Sequence, residues 1–470
     1  MIVTAMKSDG RLKRGAVTYD DVLDVAKNLR WTWKIEAREL FARLDPEASP
    51  GALEWPHQLV RGLGREKVTR LLRYDAEIAQ LARVVVDDFR AYDERSTKAW
   101  FPLHHRGHRD LVVGYFAAEY SLTDSLPIFA GGLGTVAGEH LKASSSLGVP
   151  VVGVGLLYRG TSHQWLDQEG SQHEAWDMTS PSRMPIELAR DEQGRVVQVT
   201  VSLPGRDVQV AVYLARVGRN QLLLLDSAIE VNSRTDQTLT SRLYDNDVDV
   251  RLAQQLILGV GGVRALAAVD REPSILHLNE GHSAFAVIEH VRRTMAEEGL
   301  TFDEARAAVR PGIIFTTHTP VAAGHDYFAP DLARRYLAAP AVALGVDVDT
   351  LVSLGRMYPD SPDEAFCPTI FALRLAGHRN GVSRLHGWVS RRQWAALWPR
   401  IPLEEVPIGH VTNGVHLESW VNQASNELLT SAVGLQWRTA PGNPTTWSKL
   451  RDVDDAHVWR VKNAARLELV

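Results

Sequence analysis

The sequence predicts an α/β protein in which an all-helical unit is followed by a mostly parallel sheet covered on both faces. Three observations lead there. Between Tyr19 and about Tyr92 apolar residues recur at helical spacing, as in Val22, Val25, Ala26 and Leu29 and again in Leu71, Leu72, Ile78 and Leu81. From Leu111 onward short β-rich runs alternate with helical ones, the pattern of strands joined by crossover helices. Between the first two of those runs lies AGGLGTVAGEHLKASSSLGVP, Ala130 to Pro150, which sets glycines where a strand turns into a helix.

In the helical unit, Asp20 is placed to cap the first helix, and PEASPGALEWP, Pro46 to Pro56, breaks the pattern into a loop. NLRWTW, Asn28 to Trp33, offers two indoles, either as a sugar-stacking platform or, as large aromatics favour, as core. His104, His105 and His108 lie in a polar junction with no carboxylate or cysteine at ligand spacing, which reads as a solvated linker rather than a metal centre. Strands are expected near Leu111 to Ala117, Pro150 to Leu157, Ser274 to Leu278, Gly312 to Thr317 and Val406 to Val411. Val197 to Leu225 alternates instead, which predicts antiparallel hairpins turning at Pro204 and Gly205.

Composition bounds the function. A chain of 470 residues can bury a large core and hold more than one structural unit. Its 52 basic and 57 acidic residues leave a net charge of -5, which provides no electrostatic footprint for nucleic acid or an anionic membrane; a neutral or small anionic substrate fits better. Cys367 is the only cysteine, so no intramolecular disulfide is expected, the compartment reads as reducing, and the residue itself reads as core. The basic amino terminus lacks an apolar segment behind it and no later run is long enough to cross a bilayer, so a cytosolic location is expected.

Open α/β sheets bind ligands beyond the carboxyl ends of their strands. The predicted strand ends are polar: Glu119 after the first, Tyr158 and Arg159 after the second, His277, Asn279, Glu280 and His282 after the third. The fourth delivers His318, Thr319, His325 and Asp326, and the fifth His410, Asn413 and His416. Gly131, Gly132 and Gly134 either form an anion-binding loop at a helix head or a tight turn that binds nothing. HLNEGH lacks the spacing of a zinc hydrolase, and there is no G-x-S-x-G elbow or G-x-x-x-x-G-K-[ST] loop. Neutral donors and acceptors in such number suit a hydroxyl-rich substrate, so the residues point to a carbohydrate crevice with an anion loop and leave the reaction open.

An ordered series of stretches resembles the α-glucan (glycogen, starch and maltodextrin) phosphorylases, and among them the bacterial type with an extra amino-terminal helical segment. These are NLRWTW, LFARLDP, YFAAEYSLTDSLPIFAGGLGTVAGEHLKASSSLGVPVVGVGLLYRG, LTSRLYDNDVDVRLAQQLILGVGGVRAL, ILHLNEGHSAFAVIEHVR, IIFTTHTPVAAGHDYF, NGVSRLHGWVSRRQW and PIGHVTNGVHLESWV. The resemblance implies the Rossmann-like amino-terminal half of a B-type glycosyltransferase fold, with helical residues 1–108, a Rossmann-like domain at 109–450 and the start of a connecting helix at 451–470. It implies reversible phosphorolysis of terminal α-1,4-linked glucose to glucose 1-phosphate, with pyridoxal 5'-phosphate as cofactor and α-1,4-glucan and phosphate as substrates. By the same resemblance Gly131, Gly132 and Leu133 approach the reacting phosphate and glucose, His318 organises the crevice, and Glu119 faces the glucan acceptor. Asn279, Glu280, His282, Asn413 and His416 join the substrate-binding set, as does His378, one residue out of register with the family's glucose-binding histidine.

The chain departs from the family pattern at several positions: Glu139 stands for an aspartate, Gln255 and Trp388 each for a glutamate, Ser171 for a tryptophan, and Arg30 for a further tryptophan. The family's Schiff-base lysine is expected in a second domain following the helix near Asp452, so these 470 residues are expected to hold half an active site, inactive alone, and to form a homo-oligomer or pair with that second domain. The alternatives are a non-catalytic glucan-binding protein, one half of a split enzyme, or a relative of the sugar-nucleotide synthases that share the GGLG loop.

Overall fold

The computed structural model describes residues 15–94, 96–108 and 110–468. The basic amino-terminal stretch, the expected unit boundary at residue 109 and the last two residues lie outside these.

The amino-terminal unit is helical, with principal helices Tyr19–Lys27, Ile35–Leu44, Pro56–Tyr74 and Ala76–Glu94 around a core that includes Val22, Phe41 and Val86. The first helix is capped by Thr18, not Asp20: Thr18 and Asp21 form a reciprocal capping box, and Asp20 pairs with Arg65 at 2.7 Å. Asp20 stands two residues inside the cap, where its carboxylate points to solvent. The loop expected at 46–56 contains the short helix Pro50–Leu53. NLRWTW winds as a 3-10 turn, Leu29–Trp33, that buries Trp31 and Trp33, so the indoles are core.

The second region is built on a ten-stranded sheet of order β12-β11-β10-β9-β1-β2-β8-β7-β5, with β6 paired to β7. Its strands are β1 Val113–Phe116, β2 Val151–Leu156, β5 Glu187–Leu188, β6 Gln198–Leu203, β7 Arg206–Val217, β8 Asn220–Asp226, β9 Ile275–Asn279, β10 Ile313–Thr317, β11 His378–Gly381 and β12 Gly409–His410. A separate hairpin joins β3, Gly160–Leu166, to β4, Gln172–Met178. From β12 to β8 neighbouring strands run parallel, and β5, β6 and β7 form antiparallel pairs at the far end. The turn at Pro204 and Gly205 joins β6 to β7 as expected, with Gly205 at φ 74°.

Three features depart from the expected strands. QLLLLD pairs parallel to β2 on one side and antiparallel to β7 on the other, which its uninterrupted apolar run permits because both faces are buried. β11 is made of HRNG, with no apolar alternation to announce it. β12 is two residues long and not six.

The chain passes from β1 through the helix Gly132–Leu147 to β2 on one side, and later returns to lay β9 on the other side of β1. The β1/β9 junction is therefore a topological switch point, where loops diverge and leave a crevice. The helical unit is pinned to this body through Tyr92. Its hydroxyl meets Ser145 Oγ at 2.8 Å, its carbonyl accepts from Arg219 Nη2 at 2.6 Å, and its ring lies between the guanidinium groups of Arg219 and Arg30. Arg219 Nη1 also donates to Ser145 O at 2.8 Å, satisfying a carbonyl at the tail of the Gly132–Leu147 helix.

Candidate active site

The strand ends at the switch point are organised by two buried carboxylates. Glu119, three residues beyond Phe116 at the end of β1, accepts the N–H groups of Ala130 and Gly131 through Oε2 at 2.8 and 3.0 Å and the Tyr244 hydroxyl through Oε1 at 2.6 Å. Gly134 packs directly on it: a Cβ there would lie 2.7 Å from Glu119 Oε2, so only glycine allows this approach. Glu119 therefore braces the glycine loop, and both its oxygens are engaged. The expectation that it faces glucan gives way to a supporting position, because the loop's first two N–H groups claim it.

Glu280 does the same for the loop after β10. Its Oε2 accepts from His318 N at 2.8 Å, Thr319 N at 3.1 Å and Thr319 Oγ1 at 3.0 Å, and its backbone holds φ 65° and ψ 173°, a conformation side chains rarely adopt. Burial opposes its ionisation, but His325 and the His318 N–H outweigh that and hold the carboxyl below its ordinary range.

Beyond Glu119 the helix Gly132–Leu147 begins at Gly131 with no side-chain cap, and Gly131 and Gly132 are exposed. The N–H groups of Gly132, Leu133 and Gly134 have no acceptor among the described residues, so they and the positive end of the helix dipole are available to an anion.

Imidazoles surround Glu280. His282 Nδ1, His318 Nε2 and His325 Nε2 are buried without hydrogen-bond partners among the described residues. Burial lowers the pKa of all three against the attraction of Glu280, which favours the uncharged rings at neutral pH, each able to donate or accept one hydrogen bond there. His325 Nδ1 is fixed by Thr369 Oγ1 at 3.0 Å and its ring lies edge-on to Trp394. Asp326 pairs with Arg251, accepts from Gln255 Nε2 at 2.7 Å and stands 3.8 Å from His282. An amide at 255 can donate to Asp326, where a glutamate would face it with like charge. Two small hollows open here, of about 20 Å³ beside Tyr158, Tyr244 and His282 and about 10 Å³ beside Glu280, His325 and Thr369.

Other expected residues are elsewhere. Asn279 is buried and donates to the Tyr115 hydroxyl at 2.5 Å beneath the sheet edge. His277 lies within β9, bonded to Thr316 Oγ1 at 2.9 Å and packed on Tyr115 and His140, and burial pushes its pKa down to about 3. His378 opens β11 opposite Ile314, at the sheet edge away from the crevice, because β11 begins there instead of ending. His416 packs on Trp33, bonds Ser419 Oγ at 2.9 Å and meets Ser146 at the tail of the glycine-loop helix, so it joins the two regions of the chain instead of the crevice. Asn413 is exposed at the strand-end edge, its N–H bonded to Val382 O at 3.1 Å.

Tyr244, Arg251 and Thr369 were absent from the candidates. Tyr244 and Arg251 lie in LTSRLYDNDVDVRLAQQ, a stretch that carries the resemblance without marking which side chain matters, and Thr369 lies in CPTIF, which has no motif spacing; only the fold brings the three together at the strand ends. His104 stacks on Trp100 and His105 on Phe101, with His108 tilted towards His105, and no group of metal-binding residues occurs among the described residues. No helix of the described residues is long and apolar enough to cross a membrane. Cys367 is buried, and burial pushes its thiol up to about 11.

This geometry defines an α/β protein of the Rossmann type with a polar crevice and an anion-ready helix head at its switch point. Sequence comparison adds its relatives. The chain is 35% identical over 458 residues to the maltodextrin phosphorylase of Thermococcus litoralis, covering 96% of this chain and 53% of that protein. It is 37% identical over 470 residues to the glycogen phosphorylase of Mycobacterium tuberculosis, with 95% and 53% covered, and 31% identical over 447 residues to that of Aquifex aeolicus, with 94% and 63% covered. A family model described as a protein of unknown function (DUF3417) matches residues 19–126. The chain is thus a relative of the α-glucan phosphorylases and matches an amino-terminal part of them. It spans about half the length of the curated relatives it matches.

Proposed function

We propose that this chain supplies one wall of an α-glucan phosphorylase active site, in a protein that cleaves a terminal α-1,4-linked glucose with inorganic phosphate to give glucose 1-phosphate. The observation that carries the reading is the uncapped, exposed head of the Gly132–Leu147 helix at the switch point. There Gly132, Leu133 and Gly134 N–H groups hold anionic oxygen beside the reacting sugar, and Glu119 keeps the loop in that shape. His318, neutral and with Nε2 unsatisfied, binds a sugar hydroxyl, and Glu280 fixes its backbone. In this reading the segment 1–108, whose described part is mainly helical, supports a catalytic half at 109–450, and 451–470 lead towards a second half.

Pyridoxal 5'-phosphate is the family's cofactor, and its phosphate supplies acid–base assistance to the attacking phosphate. The crevice does not fit its covalent attachment, because no lysine lines either of its two hollows. The buried lysine, Lys142, donates to Leu122 O at 3.2 Å and lies over Trp33, and Lys449 and Lys462 sit in the last helical segments. The anchoring lysine would belong to the second half.

Phosphorolysis of maltodextrin by the gene's complete product, followed as glucose 1-phosphate released, tests the reading. Release that requires phosphate and drops at least 100-fold in Gly132→Asp supports it; a folded complete product that releases none overturns it.

A further inference from the structure

The sheet edge opposite the glycine loop carries a second cleft, of about 340 Å³, whose lining includes Arg306, Arg310, Arg374, Arg379, Asp303 and Trp398. That volume falls in the range of small-molecule sites, roughly 300–1,000 Å³. Arg310 begins the turn that leads into β10 and Arg379 lies in β11, so the cleft sits at the amino ends of these strands, with the length of the sheet between it and the crevice.

The four guanidinium groups face one lining carboxylate. Asp303 is exposed and already pairs with Arg306 at 2.9 Å. The fold alone accounts for Arg379: it is buried and donates to the carbonyls of Leu373, Ala376 and Gly377, closing the end of the helix Pro368–Leu375. The other arginines are only partly accounted for. Arg310 gives Nε to Ala376 O at 3.4 Å, and its terminal nitrogens have no hydrogen bond among the described residues. Arg374 sends Nη2 to Arg356 O and Met357 O, but its Nε is buried without a partner. Glu364, the acid that attracts Arg374, is itself held by the N–H groups of Met357 and Tyr358 at 2.7 and 2.9 Å. Burial lowers the pKa of Arg374, and burial with repulsion from Arg310 pushes Arg379 down to about 10. Asp303 and Glu364 leave these four cations in excess of their counter-charges, and a dianion offsets the excess through the paired hydrogen bonds that guanidinium makes with phosphate.

We propose that this cleft binds a phosphomonoester, its phosphate held by Arg306, Arg310 and Arg374 and its organic part lying against the Trp398 indole. The site is independent of the glycine loop and of the reaction proposed there. Titration calorimetry of the full chain at fixed ionic strength, with phenyl phosphate, inorganic phosphate and phenol as ligands, tests it. Phenyl phosphate is expected to bind several-fold tighter than inorganic phosphate, and phenol not to bind. Arg310→Ala or Arg306→Ala, both at accessible positions, should each weaken phenyl phosphate at least tenfold, and Trp398→Leu should remove the preference over inorganic phosphate. Gly132→Asp puts a carboxylate at the other anion site and should leave this binding unchanged. Binding that survives both arginine changes or is lost in Gly132→Asp overturns the proposal, as does no binding of phenyl phosphate.

Discussion

Tyr244 and Glu119 meet at 2.6 Å across the mouth of the crevice, the phenol donating to the carboxylate that also holds the glycine loop. Burial and the adjacent carboxylate raise the phenol's pKa well above its ordinary value, so the proton stays on tyrosine. Tyr244→Phe removes one hydrogen bond to a buried charged group, worth about 1.5–3 kcal/mol. Urea unfolding should show a loss in the lower part of that range, because Tyr244 is partly exposed. Hydrogen exchange at Ala130 and Gly131 should accelerate. Unchanged exchange at both amides would show that the loop does not depend on this contact.

Glu280 combines three accepted hydrogen bonds from the next loop with a positive φ, so two of its substitutions separate the contributions. Both Glu280→Ala and Glu280→Gly lose the hydrogen bonds, at about 3 kcal/mol or more. Only alanine keeps the backbone strain, which costs roughly 1–3 kcal/mol. Glycine, ordinarily the more destabilising of the two, should here be the milder by about 1 kcal/mol in thermal or urea unfolding.

Two glycines of one helix should answer differently to alanine. At Gly138 an added Cβ would lie 2.0 Å from Ser121 O, a backbone atom with nowhere to move, and at Gly132 it would meet nothing within 4 Å. Gly138→Ala is expected to cost about 3 kcal/mol or to abolish folding, and Gly132→Ala to leave the melting temperature within a degree or two. Equal melting temperatures for the two variants would contradict the packing described.

Acid should unfold the chain through buried neutral histidines. Burial lowers His57 and His416 from 6.5 to about 4, with Lys142 adding to the effect at His416. The unfolded chain then binds more protons than the folded one between pH 6.5 and 4, so stability is present above 6.5 and falls as pH drops through that window. Each site accounts for about 3 kcal/mol when the window has been crossed. His416→Gln should flatten the pH dependence of the urea midpoint there, whereas an unchanged slope would mean His416 titrates normally in the fold.

The sequence disclosed the elements that obey a simple period. β1, β2, β9 and β10 were legible because apolar runs between turn residues have few other uses, and the Pro204–Gly205 hairpin because alternation and a turn coincide. β11 was not, since HRNG is held by its neighbours and by Arg379, which bonds to the preceding helix end. The strand ends were legible as a set, but what each side chain does was not. Glu119 and Glu280 look like ligands in sequence and turn inward in the fold, because nearby backbone N–H groups bind a carboxylate as readily as a substrate would. His416 could be assigned only once Trp33, nearly four hundred residues earlier, was seen against it.

The Gly132–Leu147 helix is held at its head by Glu119 and at its tail by Arg219, Ser145 and Tyr92. Sixteen residues make a rod of about 24 Å. A tilt of one degree about its tail therefore carries its head by ~0.4 Å, close to the tolerance of roughly 0.5 Å within which reacting groups must be held. The amino-terminal helices thus have leverage over the loop: through Tyr92 they set the angle of a pointer whose tip is the row of N–H groups beginning at Gly132.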